Sequence, residues 1–286
     1  MALKMSITEI TDINDSSLDV FSRISEAQLY RYYEPETGVF LAESMNVIIR
    51  ALDAGYEPVS FLIEQSRLQS EAVPVMEKVE SLYGRERCES LQIYTADTEI
   101  VKQLTGYEMV RGMWGLFRRK EDSSLEEFCK DKRHIAVLYD VVNPTNVGAI
   151  IRSAAALGMD GAIITFASAD PLARRASRVS MGTVFQLPWT KAAKEERGTV
   201  LTDKLKSLGF KTVAMALTED SVSVDNEELH SNEKIAVILG SEGPGLPDEV
   251  MMECDYRVKI PMYHDVDSLN VAAASAVVFW ELSKRK

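Results

Sequence analysis

The chain has 286 residues, 46% of them hydrophobic, and a formal net charge of −12 at neutral pH. That length suits one large or two ordinary domains with a fully buried core. The acidic balance excludes a generic basic nucleic-acid binder, no apolar run reaches the ~18–20 residues of a membrane span, and three scattered cysteines exclude a disulfide framework.

Residues 1–35 are polar, and the spacing of Leu18, Phe21, Ile24 and Leu29 predicts one amphipathic helix. The acidic start, MALKMSITEITDINDSS, lacks the apolar region of a secretory signal. With the cysteine usage, this predicts a reducing, cytoplasmic setting. From residue 39 the pattern alternates. VFLAE reads as a strand, and SMNVIIRALDAGY as a helix opened by Ser44 and closed at Gly55. PVSFLIEQ is a strand, 74–83 a helix, and LQIYTAD and MWGLFRR are two more strands. Alternation of this kind predicts a small α/β layer over residues 1–120, and no catalytic constellation lies within it. Residues 1–120 hold 13 basic and 19 acidic side chains, so this part and the remainder are each net −6. A polyanion therefore has to bind a local patch. The densest are Arg118-Arg119-Lys120, Lys130-Asp131-Lys132-Arg133, and Arg174-Arg175 with Arg178.

Residues 121–133 are charged and lack aliphatic periodicity, which marks them as a linker. The second domain, 134–286, opens with HIAVLYDVV. A nearly continuous apolar run is the mark of a strand buried on both faces of a parallel sheet. After Asn143-Pro144-Thr145-Asn146-Val147-Gly148 a helix, AIIRSAAALG, ends at Gly158. GAIITF is a strand, 171–184 a helix with three arginines, KTVAMAL a strand, and 219–233 acidic and irregular. The stretch from 235 to 280 then holds two apolar runs, each breaking into a polar turn. The first turn is Gly240-Ser241-Glu242-Gly243-Pro244-Gly245; the second ends in Ser268-Leu269-Asn270 before a helix over 269–283. About five buried strands with helices between them predict an α/β fold with a doubly wound parallel sheet, whose ligand sites lie at the carboxyl ends of the strands.

Several chemistries have no motif. GSEGPGL has Leu246-Pro247 where a phosphate loop needs Lys-Ser/Thr, and it breaks the dinucleotide G-x-G-x-x-G pattern. Leu239 stands where a nucleophile elbow at Ser241 needs glycine. His134, His230 and His264 make no metal spacing with the cysteines, so no metal is expected. What remains is a set of polar residues at strand ends: Asn146, Arg152, Glu242, Ser268 and Asn270. Each has an ordinary explanation. An Asn or Ser at a helix start is usually a cap, and an Arg on a helix usually makes a surface ion pair. Their convergence on one edge of one sheet carries the information.

Asn146-x-Gly148-x-x-x-Arg152, LGSEGPGL and IPM…DSLNVAAASA resemble, in order and spacing, the three signature motifs of SpoU/TrmH-type RNA 2′-O-ribose methyltransferases of the SPOUT superfamily. The resemblance covers roughly residues 134–283. Residues 1–120, above all VFLAESMNVIIRALDAGYEPVSFLIEQ, resemble the L30e-like RNA-binding domain of many members. The resemblance implies a SPOUT domain with a parallel sheet and a C-terminal trefoil knot, which the general avoidance of knots would argue against. It implies S-adenosylmethionine bound near Ala216, Leu217, Gly240, Ile260 and Leu269, and a homodimer formed through the C-terminal domain. It places Asn146, Arg152, Glu242, Ser268 and Asn270 in the catalytic site, and makes Arg174, Arg175 and Arg178 candidate RNA phosphate contacts. Structured RNA is the implied substrate, rRNA ahead of tRNA. A SPOUT enzyme acting on a base and an inactive RNA-binding member are the rival readings. Two departures stand out. Asn143-Pro144 replaces the family's frequent Asp-Pro, and the loop 262–267, MYHDVD, lacks the usual glycine.

Overall fold

The computed structural model describes residues 5–32, 38–105, 112–264 and 266–283. The chain divides into two units, residues 1–121 with 172–185, and residues 122–171 with 186–286.

The first unit is built from β1 (Ser6–Ile10), α1 (Asp19–Ser22), α2 (Glu26–Tyr30), β2 (Val39–Glu43), α3 (Met45–Asp53), β3 (Pro58–Glu64), α4 (Val73–Tyr83), α5 (Arg85–Ser90), β4 (Gln92–Ala96), α6 (Thr98–Thr105) and β5 (Met113–Arg118). Its five strands lie in the order β1-β4-β3-β5-β2. β1, β4 and β3 run parallel, and β5 is antiparallel to β3 and β2. The single helix expected over Leu18–Leu29 is broken. Ser25 starts a new helix, with its hydroxyl and the Gln28 side chain forming a reciprocal capping box. Leu18, Phe21 and Leu29 still reach one core, packed with Leu41, Leu62 and Trp114. Ser44 does precede α3, but its φ is +82° and its side chain makes no cap bond.

The second unit opens with α7 (Leu125–Cys129), inside the stretch expected as a linker. Leu125, Phe128 and Cys129 are buried against Ile135, Val137 and Leu205, so this stretch is core rather than spacer. Then come β6 (His134–Leu138), α8 (Pro144–Ala156), β7 (Gly161–Ile164), β8 (Trp189–Lys191), α10 (Thr199–Ser207), β9 (Lys211–Met215), β10 (Val222–Ser223), α11 (Glu227–His230), β11 (Ile235–Leu239), α12 (Asp248–Glu253), β12 (Tyr256–Lys259) and α13 (Val271–Ser283), while α9 (Arg174–Val179), which lies between β7 and β8 in the chain, belongs to the first unit. The sheet has seven strands in the order β10-β12-β9-β11-β6-β7-β8, and every pairing is parallel. β6 and β11 are buried at every position, as their apolar runs require. Each such Val, Ile or Leu side chain contributes about 1.5–3 kcal/mol by leaving water. The order reverses direction about β6 and β11, and α13 packs on α8 beside that point.

Two expected boundaries move. The strand expected over 134–142 ends at Leu138, because Asp140 takes φ +54°, a conformation Asp tolerates better than most residues. The helix expected over 171–184 runs only through Arg174–Val179. Met181 and Gly182, at φ +56° and +82°, end it, and residues 172–185 cluster with the first unit.

Candidate functional site

At the carboxyl ends of β9, β11 and β12 the chain turns three times, at 216–218, 240–246 and 260–262. With the approach to α13, these turns line a cavity of about 550 Å³. That volume falls in the ~300–1,000 Å³ range of small-molecule and cofactor sites. All five residues expected at the cofactor line it: Ala216, Leu217, Gly240, Ile260 and Leu269. Leu217 and Leu269 are 54% and 39% exposed, so their apolar surface faces the cavity rather than the core. The wall after β11 is a tight reversal. The Gly245 N–H donates to the Ser241 carbonyl at 3.2 Å, and Gly243 and Gly245 take φ +93° and +71°, where glycine carries no Cβ penalty. Gly240 is needed for room: a Cβ there would meet the Gly245 carbonyl carbon and the Leu246 nitrogen at 2.6 Å. Apolar walls beside the polar side chains and backbone of these turns suit a cofactor with both apolar and polar parts.

Glu242, Ser268 and Asn270 line the same cavity. Asn146 joins them from α8. Asn143 caps that helix by accepting from the Thr145 N–H at 2.9 Å, and Pro144 takes the first helical position. The helix therefore starts earlier than the sequence suggests, and Asn146 is a buried first-turn residue rather than its cap. Its side-chain N–H donates to Glu242 Oε1, and its Oδ1 accepts from Asn270 Nδ2 at 3.3 Å. Asn270 Oδ1 in turn accepts from the Ala272 N–H at 2.9 Å. Asn270, not Ser268, thus caps α13. The N–H of a helix start fixes one amide, which fixes the next, which fixes a carboxylate. Each amide's orientation is set by a partner that can only donate or only accept. Among the described residues the second oxygen of Glu242, at the exposed rim, has no hydrogen-bond partner.

Arg152 stands apart from this chain. It lies on the exposed face of α8, and among the described residues it makes no hydrogen bond or ion pair. Six residues beyond Asn146, it is about 9 Å further along the helix, though its long side chain leans back toward the N-terminus. The three arginines expected at RNA belong to the first unit. Arg174 Nε lies 3.3 Å from Glu26 Oε1, its backbone N–H donates to the same oxygen, and Arg178 Nη1 lies 3.5 Å from Glu43 Oε2. With Arg175 and Trp114 they line a cavity of about 420 Å³. Burial pushes the Glu43 carboxyl up, against the pull of Arg178 and Arg174.

Sequence reasoning missed the residues that brace the site. Ser221 Oγ donates to the Ala216 carbonyl at 3.0 Å and shares a hydrogen bond with Thr218 at 2.8 Å, holding the turn after β9. Asp140 accepts from Thr165 Oγ1 at 3.0 Å and pairs with Arg197. The one available signal was a polar residue directly after each buried run. The glycine-free loop 262–267 turns with His264 at φ +59°; Asp265 of that loop lies outside the described residues. Burial pushes the Cys129 and Cys254 thiols up to about 11 and raises Cys88 as well, so none is a ready nucleophile. Among the described residues no group of three or more His, Cys, Asp or Glu could hold a metal ion.

A model of the SpoU rRNA Methylase family matches residues 133–280. An uncharacterised tRNA/rRNA methyltransferase of Mycobacterium bovis is 31% identical over 281 residues, which cover 98% of this chain and 93% of the relative. Similar solved structures include an AdoMet-bound rRNA methyltransferase of Sinorhizobium meliloti, with TM-score 0.77, 23% identity and coverage of 96% of this chain and 97% of that one. An RNA 2′-O ribose methyltransferase has TM-score 0.73, 23% identity and coverage of 96% and 98%. At those identities the two structures are likenesses of fold.

Proposed function

The chain belongs to the SpoU rRNA methylase family, and from that premise we propose that this RNA methyltransferase acts on a ribose 2′-hydroxyl of structured RNA, rRNA ahead of tRNA. The observation that carries the reading is the Asn270–Asn146–Glu242 chain at the mouth of the cavity. A ribose offers hydroxyls and a neighbouring phosphate; this set offers orienting amides and a carboxylate, and further along α8 stands the Arg152 guanidinium, unpaired among the described residues. The family resemblance and the AdoMet-bound relative support S-adenosylmethionine as the cofactor, held by Ala216, Leu217, Gly240, Ile260 and Leu269. The proposal includes a knotted path for the C-terminal segment and an RNA-binding role for the L30e-like first unit. In that unit Arg174, Arg175 and Arg178 would meet phosphate. A cytoplasmic setting completes it.

Bound S-adenosylmethionine supplies a methyl group on a sulfonium, already a good leaving group. The protein's own work is to set the hydroxyl in line with it and ease loss of the hydroxyl proton. A guanidinium is effectively never deprotonated in proteins, so Arg152 acts as a fixed cation rather than a base. It holds the adjacent phosphate and stabilises charge developing on the ribose oxygen. Asn146, Glu242, Ser268 and Asn270 orient the ribose. The test is incubation with methyl-labelled S-adenosylmethionine and total rRNA or tRNA, followed by mapping of the modified nucleotides. Label in 2′-O-methyl nucleotides is expected. Label on a base, or none on any RNA, would reject the reading.

The proposal includes a homodimer through α13. That helix is apolar nearly all round, and Ala273, Val277 and Trp280 form an exposed stripe at helical spacing. Trp280 is 56% exposed, more than a helix face left in water usually offers. Trp280→Glu is expected to convert a dimer into a monomer in analytical ultracentrifugation. A monomeric parent protein, or a variant that stays dimeric, would remove α13 from the interface.

A further inference from the structure

The strand order sets a ruler along the carboxyl edge of the second sheet. The cofactor cavity lies beyond β9 and β11, Asn146 follows β6, the turn after β7 holds Phe166, and the turn after β8 holds Lys194. Neighbouring strands are about 5 Å apart, so Phe166 stands one strand beyond the residue that orients the ribose.

Isolated exposed apolar residues are ordinary. Three features set Phe166 apart. The residue is 64% exposed yet sits on a fixed turn: on either side of it the Thr165 N–H and the Ser168 hydroxyl both donate to the Leu138 carbonyl, at 3.1 and 2.9 Å. That turn is stitched to the loop leading into α8. The Asp140 N–H donates to Thr165 Oγ1 at 2.9 Å, the Val141 N–H to Ser168 Oγ at 3.0 Å, and the Ala169 N–H to the Val141 carbonyl at 2.9 Å. The ring is thereby held in register with the helix that carries Asn146 and Arg152. Last, the Lys194 ammonium lies over the ring face, 5.8 Å from its centre, and among the described residues it has no ion pair.

We propose that Phe166, with Lys194, is a stacking platform for an unpaired nucleobase of the substrate RNA, adjacent to the nucleotide whose ribose is methylated. This rests on the methyltransferase reading above. A π face takes any base, and RNA recognition reads unpaired bases stacked on aromatic rings far more readily than bases inside an A-form helix. The ammonium, placed at the ring face in the free protein, has a phosphate to move to when the base arrives. One hydrophobic face and one cation suit a nucleotide better than an apolar protein partner. In a protein of net charge −12, they also give RNA a contact that does not depend on a basic surface. Asp140–Arg197 and Asp170–Lys191 pair the flanking charges, whereas Lys194 has no ion pair among the described residues.

The experiment uses the full chain and an RNA oligonucleotide spanning the nucleotide mapped with the parent protein, with 2-aminopurine replacing its neighbour on either side. Phe166→Leu keeps the volume and removes the ring face. It is expected to lower kcat/KM by about 5- to 150-fold, mostly through KM, and to abolish the 2-aminopurine quenching that the parent gives on binding. Phe166→Trp is expected to keep both. Lys194→Ala is expected to reduce the salt slope of RNA binding by about one charge. Cofactor affinity, measured by calorimetry, should not move in any variant. A parent that methylates no RNA defeats the underlying reading. A working parent whose Phe166→Leu variant keeps both kcat/KM and quenching overturns the platform alone, as does a variant that loses cofactor affinity.

Discussion

Replacement of Arg152 by alanine is expected to lower methyl transfer about 100- to 1,000-fold while cofactor affinity and folding stay as in the parent protein. The expectation follows from where Arg152 stands. It is exposed on α8, so its removal breaks no hydrogen bond or ion pair among the described residues. Alanine is the best helix former, and a surface change of this kind stays within about 0.5 kcal/mol. Arg152 does not line the cavity, so the cofactor loses nothing. On the role proposed for Arg152, what disappears is a cation that meets charge developing on the reacting oxygen only in the transition state, together with a hold on the adjacent phosphate that shows in RNA affinity. The first of these acts on kcat more than on binding. Arg152→Lys should recover only part of the loss, because an ammonium cannot bridge two oxygens in the planar, two-pronged way a guanidinium does. Single-turnover rates with labelled cofactor, beside calorimetric cofactor binding, measure both sides. A variant that keeps its rate, or that loses the cofactor, would end this role for Arg152.

The inner strands were legible because burial leaves a mark on every residue. β11 is apolar at each position, and β6 at each but His134, since helices cover both faces of the sheet. The strands missed are those where that pressure is absent. β1, SITEI, is exposed at four of its five positions, and β8 and β10 are three and two residues long, too short to show a period. The helix expected over 171–184 failed for a backbone reason. Apolar spacing continues past Val179, but the positive φ values at Met181 and Gly182 do not register as hydrophobicity. The site divides in the same way. Glycine-rich turns after apolar runs located its parts. The bonds that assemble it join Asn146 to partners 96 and 124 residues away, and no local pattern encodes such a pairing. Capping logic assigned α13 to Ser268, two residues before Asn270, which takes the role. Each candidate cap satisfies the same local rule, and only the point where the helix begins, with the Ala272 N–H donating to Asn270 Oδ1, distinguishes them.

Gly240→Ala is expected to weaken cofactor binding at least about 100-fold, which is ~2.7 kcal/mol. Gly240 does not need a left-handed backbone; it needs space. An added Cβ would lie 2.6 Å from the Gly245 carbonyl carbon and the Leu246 nitrogen and 2.9 Å from the Gly245 oxygen. All three are backbone atoms, so no rotamer change relieves the overlap, and the 240–246 reversal has to open. That reversal forms one wall of the cavity and carries Glu242. It also leads into Leu246, which is 4% exposed and packed in the core with Val250. Opening it therefore displaces the cofactor's surroundings, pulls Glu242 from Asn146 and costs about 1–3 kcal/mol of stability. The stability loss alone could mimic a binding defect, and Gly158 separates the two. It follows α8 at φ +80°, and a Cβ there meets nothing within 4 Å. Gly158→Ala therefore strains the backbone without touching the cavity. It should lower the melting temperature by a few degrees, comparably to Gly240→Ala, with cofactor affinity intact. Calorimetric affinity and thermal melting, run on both variants, decide the matter. A Gly240→Ala protein that binds cofactor like its parent would show that this turn does not form the cofactor wall. Equal losses of affinity in both variants would show that stability alone governs binding.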